Sequence, residues 1–461
     1  MIKTAIHSIL KEITGIFNNN GKRLYLVGGA VRDMLRGEKI HDWDLATDAH
    51  PDEVTKIIKN AKGKVVPTGI KHGTVTVFYK GHSAEITTFR IESKYSDGRR
   101  PDEIQYTSDI EEDLSRRDFT MNAIALRLPE GEIIDPFKGA EDIKAKIIRC
   151  AGDPEKRFGE DGLRPLRAVR FAAQLGYEIE EKTLNAISGA LSVCEKVSQE
   201  RVRDEIDKIL SSPLPSRAFL LMEKTGLLKL FLGELSACRG IEQKGFHRFD
   251  VLDHSLYACD YAAANNFSHE LRLAALFHDV GKPKVRKMDS SGVWTFYRHE
   301  EVSAEMTRKI LNRLRYSNVV IDCVCHLIKE HMFNYTENWS DAAVRRFIAR
   351  TGEKNLKDLY CLRQADSSAF AGKEPDHHTL TKLADRVEKI LLCGRAFTIK
   401  DLAVSGKDLM KAGIPSGKTM GIILNQLLET VIDDPEQNTK EKLLEIAGNY
   451  FKKIHTAAQR R

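Results

Sequence analysis

Apolar positions change their rhythm roughly a third of the way along the chain. Before about residue 150 they come in short runs and alternations of strand type. Leu24-Tyr25-Leu26-Val27 is an unbroken apolar run, and Lys64-Val65-Val66-Pro67 precedes Thr74 to Tyr79. Ala84 to Phe89 alternates. Residues 1–23 read as a leading amphipathic helix. After Asp153 strand signals nearly vanish, and the remaining sequence has helical spacing. The pattern predicts an α+β chain: a small mixed sheet with helices, then a long helical part, with the main boundary near residue 150.

The most informative stretch runs from Leu24 to Thr47, LYLVGGAVRDMLRGEKIHDWDLAT. A strand breaks at Gly28-Gly29 and gives way to a helix start that carries Arg32 and Asp33. A second short strand then delivers Asp42-Trp43-Asp44. Glycines without Cβ let phosphate oxygens approach backbone N–H groups. A strand projects i and i+2 onto one face, which puts Asp42 and Asp44 side by side as hard oxygen ligands for Mg²⁺. A glycine pair is usually only a turn, and a lone Asp-x-Asp is often a solvated strand end. Their spacing, with Arg32 between them, is what argues for nucleoside triphosphate chemistry. Glu85 is a possible third carboxylate, although an exposed edge-strand glutamate is its expected role.

Composition narrows the class. The chain has 461 residues, enough for several cores, with 42% hydrophobic and 30% charged residues, as in soluble globular proteins. No apolar run is long enough to span a membrane. The N-terminus has no signal-peptide character, and eight cysteines without regular spacing favour reduced thiols in a cytoplasm. A net charge of +6 permits a polyanionic partner without establishing one.

Three further motifs carry chemistry. Arg116-Arg117-Asp118-Phe119-Thr120 is followed by Asn122-Ala123. Guanidinium forks suit triphosphate oxygens, whereas the plainer reading is a solvated helix start. Gly159-Glu160-Asp161-Gly162-Leu163-Arg164 continues through Arg167 to Arg170. At about 100° per residue, Arg170 falls between Leu163 and Leu166, on the apolar side. A charge there needs an anionic partner, either a triphosphate or an internal carboxylate. Asp161 and Arg164, one turn apart, can present an acceptor and a donor fork to a base edge. The third motif is scattered: His254, then His278-Asp279 closed by Gly281 and Pro283, then His299, His331 and Asp366. His278-Asp279 places an imidazole beside a carboxylate, a pair that suits a divalent ion.

GGAVRD followed by HDWDLAT resembles the nucleotidyltransferase head of class II CCA-adding tRNA nucleotidyltransferases and their poly(A) polymerase relatives. RRDFT-N-A and EDxxR resemble the same family. The resemblance implies a polymerase-β-like head over 1–150 and a helical neck over 151–240. His254, His278, Asp279 and Asp366 resemble the metal ligands of HD phosphohydrolases, with His299 and His331 available to a second metal. This implies an HD domain over 241–375 and a helical tRNA-binding tail over 376–461 that ends in a basic segment.

The implied activity is template-independent addition of CCA to the 3′ end of tRNA from CTP and ATP. Asp42 and Asp44 hold Mg²⁺ in this reading. Gly28, Gly29, Arg32, Asp33, Arg117, Asp118, Asp161, Arg164, Arg167 and Arg170 bind the nucleotide, Asp161 and Arg164 reading its base. The HD site adds a metal-dependent phosphohydrolase with a second divalent metal. The polar stretch Tyr95 to Ile104 resembles the flexible loop kept by members that add the terminal A. Four alternatives stand beside this reading. They are an A-adding enzyme, a poly(A) polymerase, an HD phosphohydrolase whose head only binds RNA, and a non-catalytic RNA-binding protein. Oligomeric state is not legible.

Overall fold

A computed structural model describes residues 7–40, 42–93, 103–243, 249–369, 377–392 and 397–458. His41, most of the expected loop from Tyr95 to Ile104 and the last three residues of the basic end lie outside the described residues. Two compact units divide the chain, Met1–Arg239 with Ile310–Tyr316 and Gly240–Lys309 with Ser317–Arg461.

The first unit opens with helix α1 (Ser8–Asn18), which buries Leu10, Ile13 and Phe17. Strand β1 (Leu24–Val27) follows and is buried on both faces, which is why its sequence is apolar without alternation. Helix α2 (Gly29–Leu35) leads to strand β2 (Asp44–Thr47) and helix α3 (Pro51–Asn60). Strands β3 (Lys64–Gly69), β4 (Thr74–Tyr79) and β5 (His82–Thr88) extend the sheet. β6 (Arg90–Ser93) and β7 (Glu103–Tyr106) form a separate hairpin. Helix α4 (Ile110–Ser115) precedes β8 (Ala125–Arg127) and β9 (Glu132–Ile134).

The seven-stranded sheet runs in the order β3-β4-β5-β2-β1-β8-β9. Only β2 and β5 are parallel, so it is a mixed sheet. Tyr25, Val27, Ala46 and Ala125 pack on Ile110 and Leu114 of α4. Pro67 is tolerated because β3 lies at the sheet edge. Two expectations are corrected here. β5 lies in the interior of the sheet, because the crossover from β2 seats it beside β2. Strand pairing starts at Asp44, so Asp42 lies just before β2 rather than within it.

Helices then dominate the unit. α5 (Pro154–Glu160) turns at Asp161-Gly162 into α6 (Leu163–Leu175), which packs on α7 (Gln199–Leu210). Among its described residues the second unit is helical apart from one short hairpin. Its helices α8 (Val251–Ala264), α9 (His269–Phe277), α11 (Asn318–Glu330) and α13 (Leu356–Ser368) form a bundle, with α10 (His299–Arg313) and α12 (Asp341–Thr351) between them in sequence. A smaller core around Leu409, Ile423, Leu427 and Leu443 joins α14 (Lys418–Asp433) to α15 (Lys440–Ala458).

Candidate active site and candidate metal centre

The carboxylates gather where β2 begins, beside the middle of β5. The Glu85 backbone N–H donates to the Trp43 carbonyl at 2.9 Å, and Asp44 stands in register with Glu85. Asp42, Asp44 and Glu85 line one open cleft of about 410 Å³, together with Thr76 and Ser83. Burial raises the Asp44 carboxyl above its ordinary range. Arg117 opposes that shift, whereas Glu85 and Asp42 add to it. Like charges crowded in this way are relieved by a cation.

Gly28 lies close to Asp44. Its φ of +66° is open to glycine, and a Cβ built there would lie 2.8 Å from Arg117 Nη1 and 3.9 Å from Asp44 Oδ2. Arg117 thus lies across the backbone, held by Asp113 at 3.3 Å, while its buried Nε has no hydrogen-bond partner in the described structure. Arg32 and Asp33 grip one another through two 2.9 Å bonds. Arg32 Nη1 also donates to Asn122 Oδ1 at 2.9 Å, and Asn122 donates to Asp118 at 3.0 Å. Asp118 accepts from Arg167 at 2.8 Å. A hydrogen-bonded chain therefore links α2 to α6. Burial works against the Asp118 charge, but Arg167 and Asn122 outweigh it and hold the carboxyl at about 2.

The arginine stripe on α6 divides its labour. Arg164 and Arg170 are buried, and Arg167 is partly exposed. Arg164 Nη1 donates to the Arg157 carbonyl and Glu160, and its Nη2 donates to the Arg116 carbonyl at 2.9 Å. Asp161 accepts from Arg201 at 2.7 Å. Arg170 meets an internal carboxylate. Its Nε donates to Glu205 at 2.8 Å and its Nη1 to Gln174 at 2.7 Å, and its guanidinium lies 3.6 Å from the Phe171 ring centre. Of the two partners left open for Arg170, the structure supplies the protein one. Burial lowers Arg170 to about 10 despite Glu205.

The scattered histidines converge in the second unit. His254 Nε2 lies 3.1 Å from His278 Nε2, 3.0 Å from Asp366 Oδ1 and 3.5 Å from Asp279 Oδ2. His299 Nε2 lies 3.2 Å from Asp279 Oδ1, and one possible ligand atom each of Asp279, His299 and His331 lie within 4.8 Å of one another. All six side chains are buried. Nδ1 of His278, His299 and His331 each sits 2.6–2.9 Å from the carbonyl three residues earlier, those of Ala275, Phe296 and Ile328. A carbonyl only accepts, so Nδ1 carries the proton and the Nε2 lone pairs point inward, the arrangement metal-bound histidines need. Gly281 makes the close turn possible, since a Cβ there would meet Ser303 N at 2.6 Å. Lys282 reaches back to Asp279 at 2.6 Å.

Residues 24–149 match the model of the poly(A) polymerase head domain. Residues 176–238 match one described as the probable RNA and SrmB-binding site of polymerase A, and 288–447 match domain 2 of tRNA nucleotidyltransferase. The CCA-adding enzyme of Lactobacillus johnsonii is 34% identical over 444 residues, 96% of each chain. The chain belongs to the CCA-adding enzyme family. The Geobacillus member is 34% identical over 433 residues, covering 92% of this chain and 93% of its own. Among solved structures, the Bacillus stearothermophilus CCA-adding enzyme in complex with CTP superposes with a TM-score of 0.72 at 30% identity, over 98% of each chain. The Thermotoga maritima CCA-adding enzyme complexed with tRNA shares the fold, with a TM-score of 0.58 at 21% identity, over 97% of each chain. Membership in this family agrees with the mixed head and the helical remainder. No described helix is long and apolar enough to cross a membrane.

Sequence reasoning missed Asn122, Arg201, Glu205 and Phe171. Asn122 lay inside a recognised motif and was legible. Arg201 and Glu205 sit four apart on α7, as any solvated helix pair does, and carried no signal of their own.

Proposed function

We propose that the first unit adds C, C and A to the 3′ end of tRNA from CTP and ATP, without a nucleic-acid template. The family's named activity and the meeting of Asp42, Asp44 and Glu85 beside Gly28 and Arg117 support this reading. Asp42 and Asp44, with Glu85 as third donor, suit a divalent cation, Mg²⁺ in this reading. Held there, it would supply Lewis acidity toward the attacking hydroxyl and offset charge at the α-phosphate.

The chain's own residues do the rest. The open backbone at Gly28-Gly29 lets the triphosphate come close, and the Arg117 guanidinium stands beside it with Nη1 nearest Gly28. Arg32 and Asp33 brace one another and, through Asn122, keep Asp118 in place. Asp118 in turn holds Arg167 facing the nucleotide. Asp161, steadied by Arg201, and the remaining donors of Arg164 read the base. Arg170, engaged by Glu205, positions Arg167 rather than touching phosphate. The fixed charges are set before substrate arrives, so little reorganisation opposes the transfer.

The test is extension of a tRNA lacking its 3′ CCA with CTP alone, ATP alone and both. Addition of two C residues and then one A is expected. ATP use only on ends already carrying CC means an A-adding enzyme, and long A tracts mean a poly(A) polymerase. No incorporation overturns the reading and leaves an RNA-binding head.

A second reading concerns the other unit. Six buried ligands with three inward Nε2 lone pairs support a metal-dependent phosphohydrolase, with His254, His278, Asp279 and Asp366 on one divalent ion and His299 and His331 beside Asp279 for another. Its test is hydrolysis of bis(p-nitrophenyl) phosphate by the full chain with added Mn²⁺, Co²⁺ or Ni²⁺. His278→Ala is expected to abolish it. Absence of hydrolysis with every metal overturns it.

A further inference from the structure

Arg116 and Arg117 are adjacent in sequence, yet both guanidiniums turn back onto one carboxylate. Asp113 lies three residues before the first and four before the second, the two spacings that bring side chains together on a helical turn. Its Oδ1 accepts from Arg116 Nε at 2.9 Å and Nη2 at 2.8 Å, and its Oδ2 accepts from Arg117 Nη2 at 3.3 Å. The backbone N–H of Arg90, where β6 begins, donates to the same Oδ1 at 3.3 Å. Asp113 is buried. Burial works against its charge, but Arg116 and Arg117 outweigh it and keep the carboxyl below its ordinary range. Its helix neighbours Ile110 and Leu114 pack on Tyr25, Val27 and Ala46, which fixes the helix that carries it against β1 and β2.

Each arginine leads to a different end of the nucleotide site. The Arg117 guanidinium stands beside Gly28 and favours the charge on Asp44. Arg116 leads to the base reader, because its backbone carbonyl accepts from Arg164 Nη2 at 2.9 Å. With its side chain clamped on Asp113, Arg116 has little freedom to swing that carbonyl. The path from Asp113 to either end therefore runs through a single residue.

We propose that Asp113 is a positioning residue of the transferase, setting the triphosphate-facing and the base-reading guanidinium from one carboxylate. The inference rests on the transferase reading of the first unit. It adds that triphosphate binding and base selection are coupled through α4. A plain buried counter-ion would cost stability when removed and would not alter which base is chosen.

The test is steady-state kinetics of the full chain on tRNA lacking its CCA, with CTP and, separately, with UTP. Asp113→Asn keeps the shape of the side chain and removes its charge. It is expected to raise KM for CTP by about 10- to 100-fold, the range of one hydrogen bond to a charged group. KM for the tRNA should stay within about twofold. The preference for CTP over UTP, as a ratio of kcat/KM values, should fall by at least about threefold. Arg116→Gln leaves Arg117 with its carboxylate and removes the clamp on the carbonyl. It should lower the CTP preference by a similar factor while raising KM for CTP less than Asp113→Asn does. Where Asp113→Asn does not fold, Arg116→Gln decides alone. An unchanged CTP preference in Arg116→Gln overturns the coupling while leaving the transferase intact. So does an unchanged KM for CTP in folded Asp113→Asn, or a KM for the tRNA that rises in step with it. An unmodified chain that never incorporates CTP overturns both.

Discussion

At Gly28 backbone conformation and space are exhausted together. Its φ of +66° strains any other residue, and an added Cβ would press Arg117 Nη1 at 2.8 Å. Gly28→Ala therefore displaces the guanidinium that we propose faces the triphosphate by roughly an ångström, and displacements of that size cost about 100-fold in rate. We expect kcat/KM for CTP to fall by about that factor with circular dichroism unchanged. Asp118 gives a second expectation, with a definite sign. Its carboxyl is held at about 2 against 3.8 ordinarily, a depressed carboxylate. Such a group adds stability above its unfolded pKa, and the contribution fades as pH falls through the folded value. The term is on the order of 2 kcal/mol at neutral pH. Asp118→Asn should lower the melting temperature at pH 7, and the gap to the unmodified chain should narrow between about pH 4 and pH 2. A gap independent of pH would deny the ion pair with Arg167.

At the scale of elements, α6 and α7 are locked by Arg170 and Glu205. Burial opposes the charge on Glu205, but Arg170, Arg167 and Lys208 keep its carboxyl below the ordinary range. Removing one partner of a buried pair strands the other, at a cost of about 3–5 kcal/mol. Glu205→Ala should destabilise the first unit by about that much in urea unfolding, and Arg170→Met with Glu205→Leu should recover most of it. An equal loss in the double variant would locate the effect elsewhere. This pair also shows what was legible. Helical periodicity alone placed Arg170 on the apolar side of α6 and left its partner open between a ligand and a carboxylate. The choice lay 35 residues away, where nothing local distinguishes Glu205 from its solvated neighbours. β5 makes the same point, since its strand character was readable from alternation. Its place inside the sheet follows from a crossover, which is a property of topology and not of local sequence. The head motifs were readable because strand, glycine turn and Asp-x-Asp are contiguous.

Over the whole molecule, two sets of ionisable side chains are kept in separate compact units, Asp42 and Asp44 in one and the histidine cluster in the other. No residue is shared between them, so their chemistries should be separable by mutation in the full chain. Asp42→Ala with Asp44→Ala should reduce CTP incorporation by at least about 1,000-fold, because both hard ligands at the reacting centre are lost. The same variant should retain its metal content at the second unit, measured by atomic emission after gel filtration. His278→Ala with Asp279→Ala should do the reverse, emptying that unit of transition metal and leaving CTP incorporation within about threefold. Chelation adds a thermal signature, because an ion that binds only the folded state raises its melting point. In buffer without added Mg²⁺, EDTA should therefore lower the melting temperature of the Asp42/Asp44 variant and leave that of the His278/Asp279 variant nearly unmoved. Loss of CTP incorporation in the His278/Asp279 variant, with its melting temperature intact, would mean that the histidine cluster serves the transferase instead of a chemistry of its own.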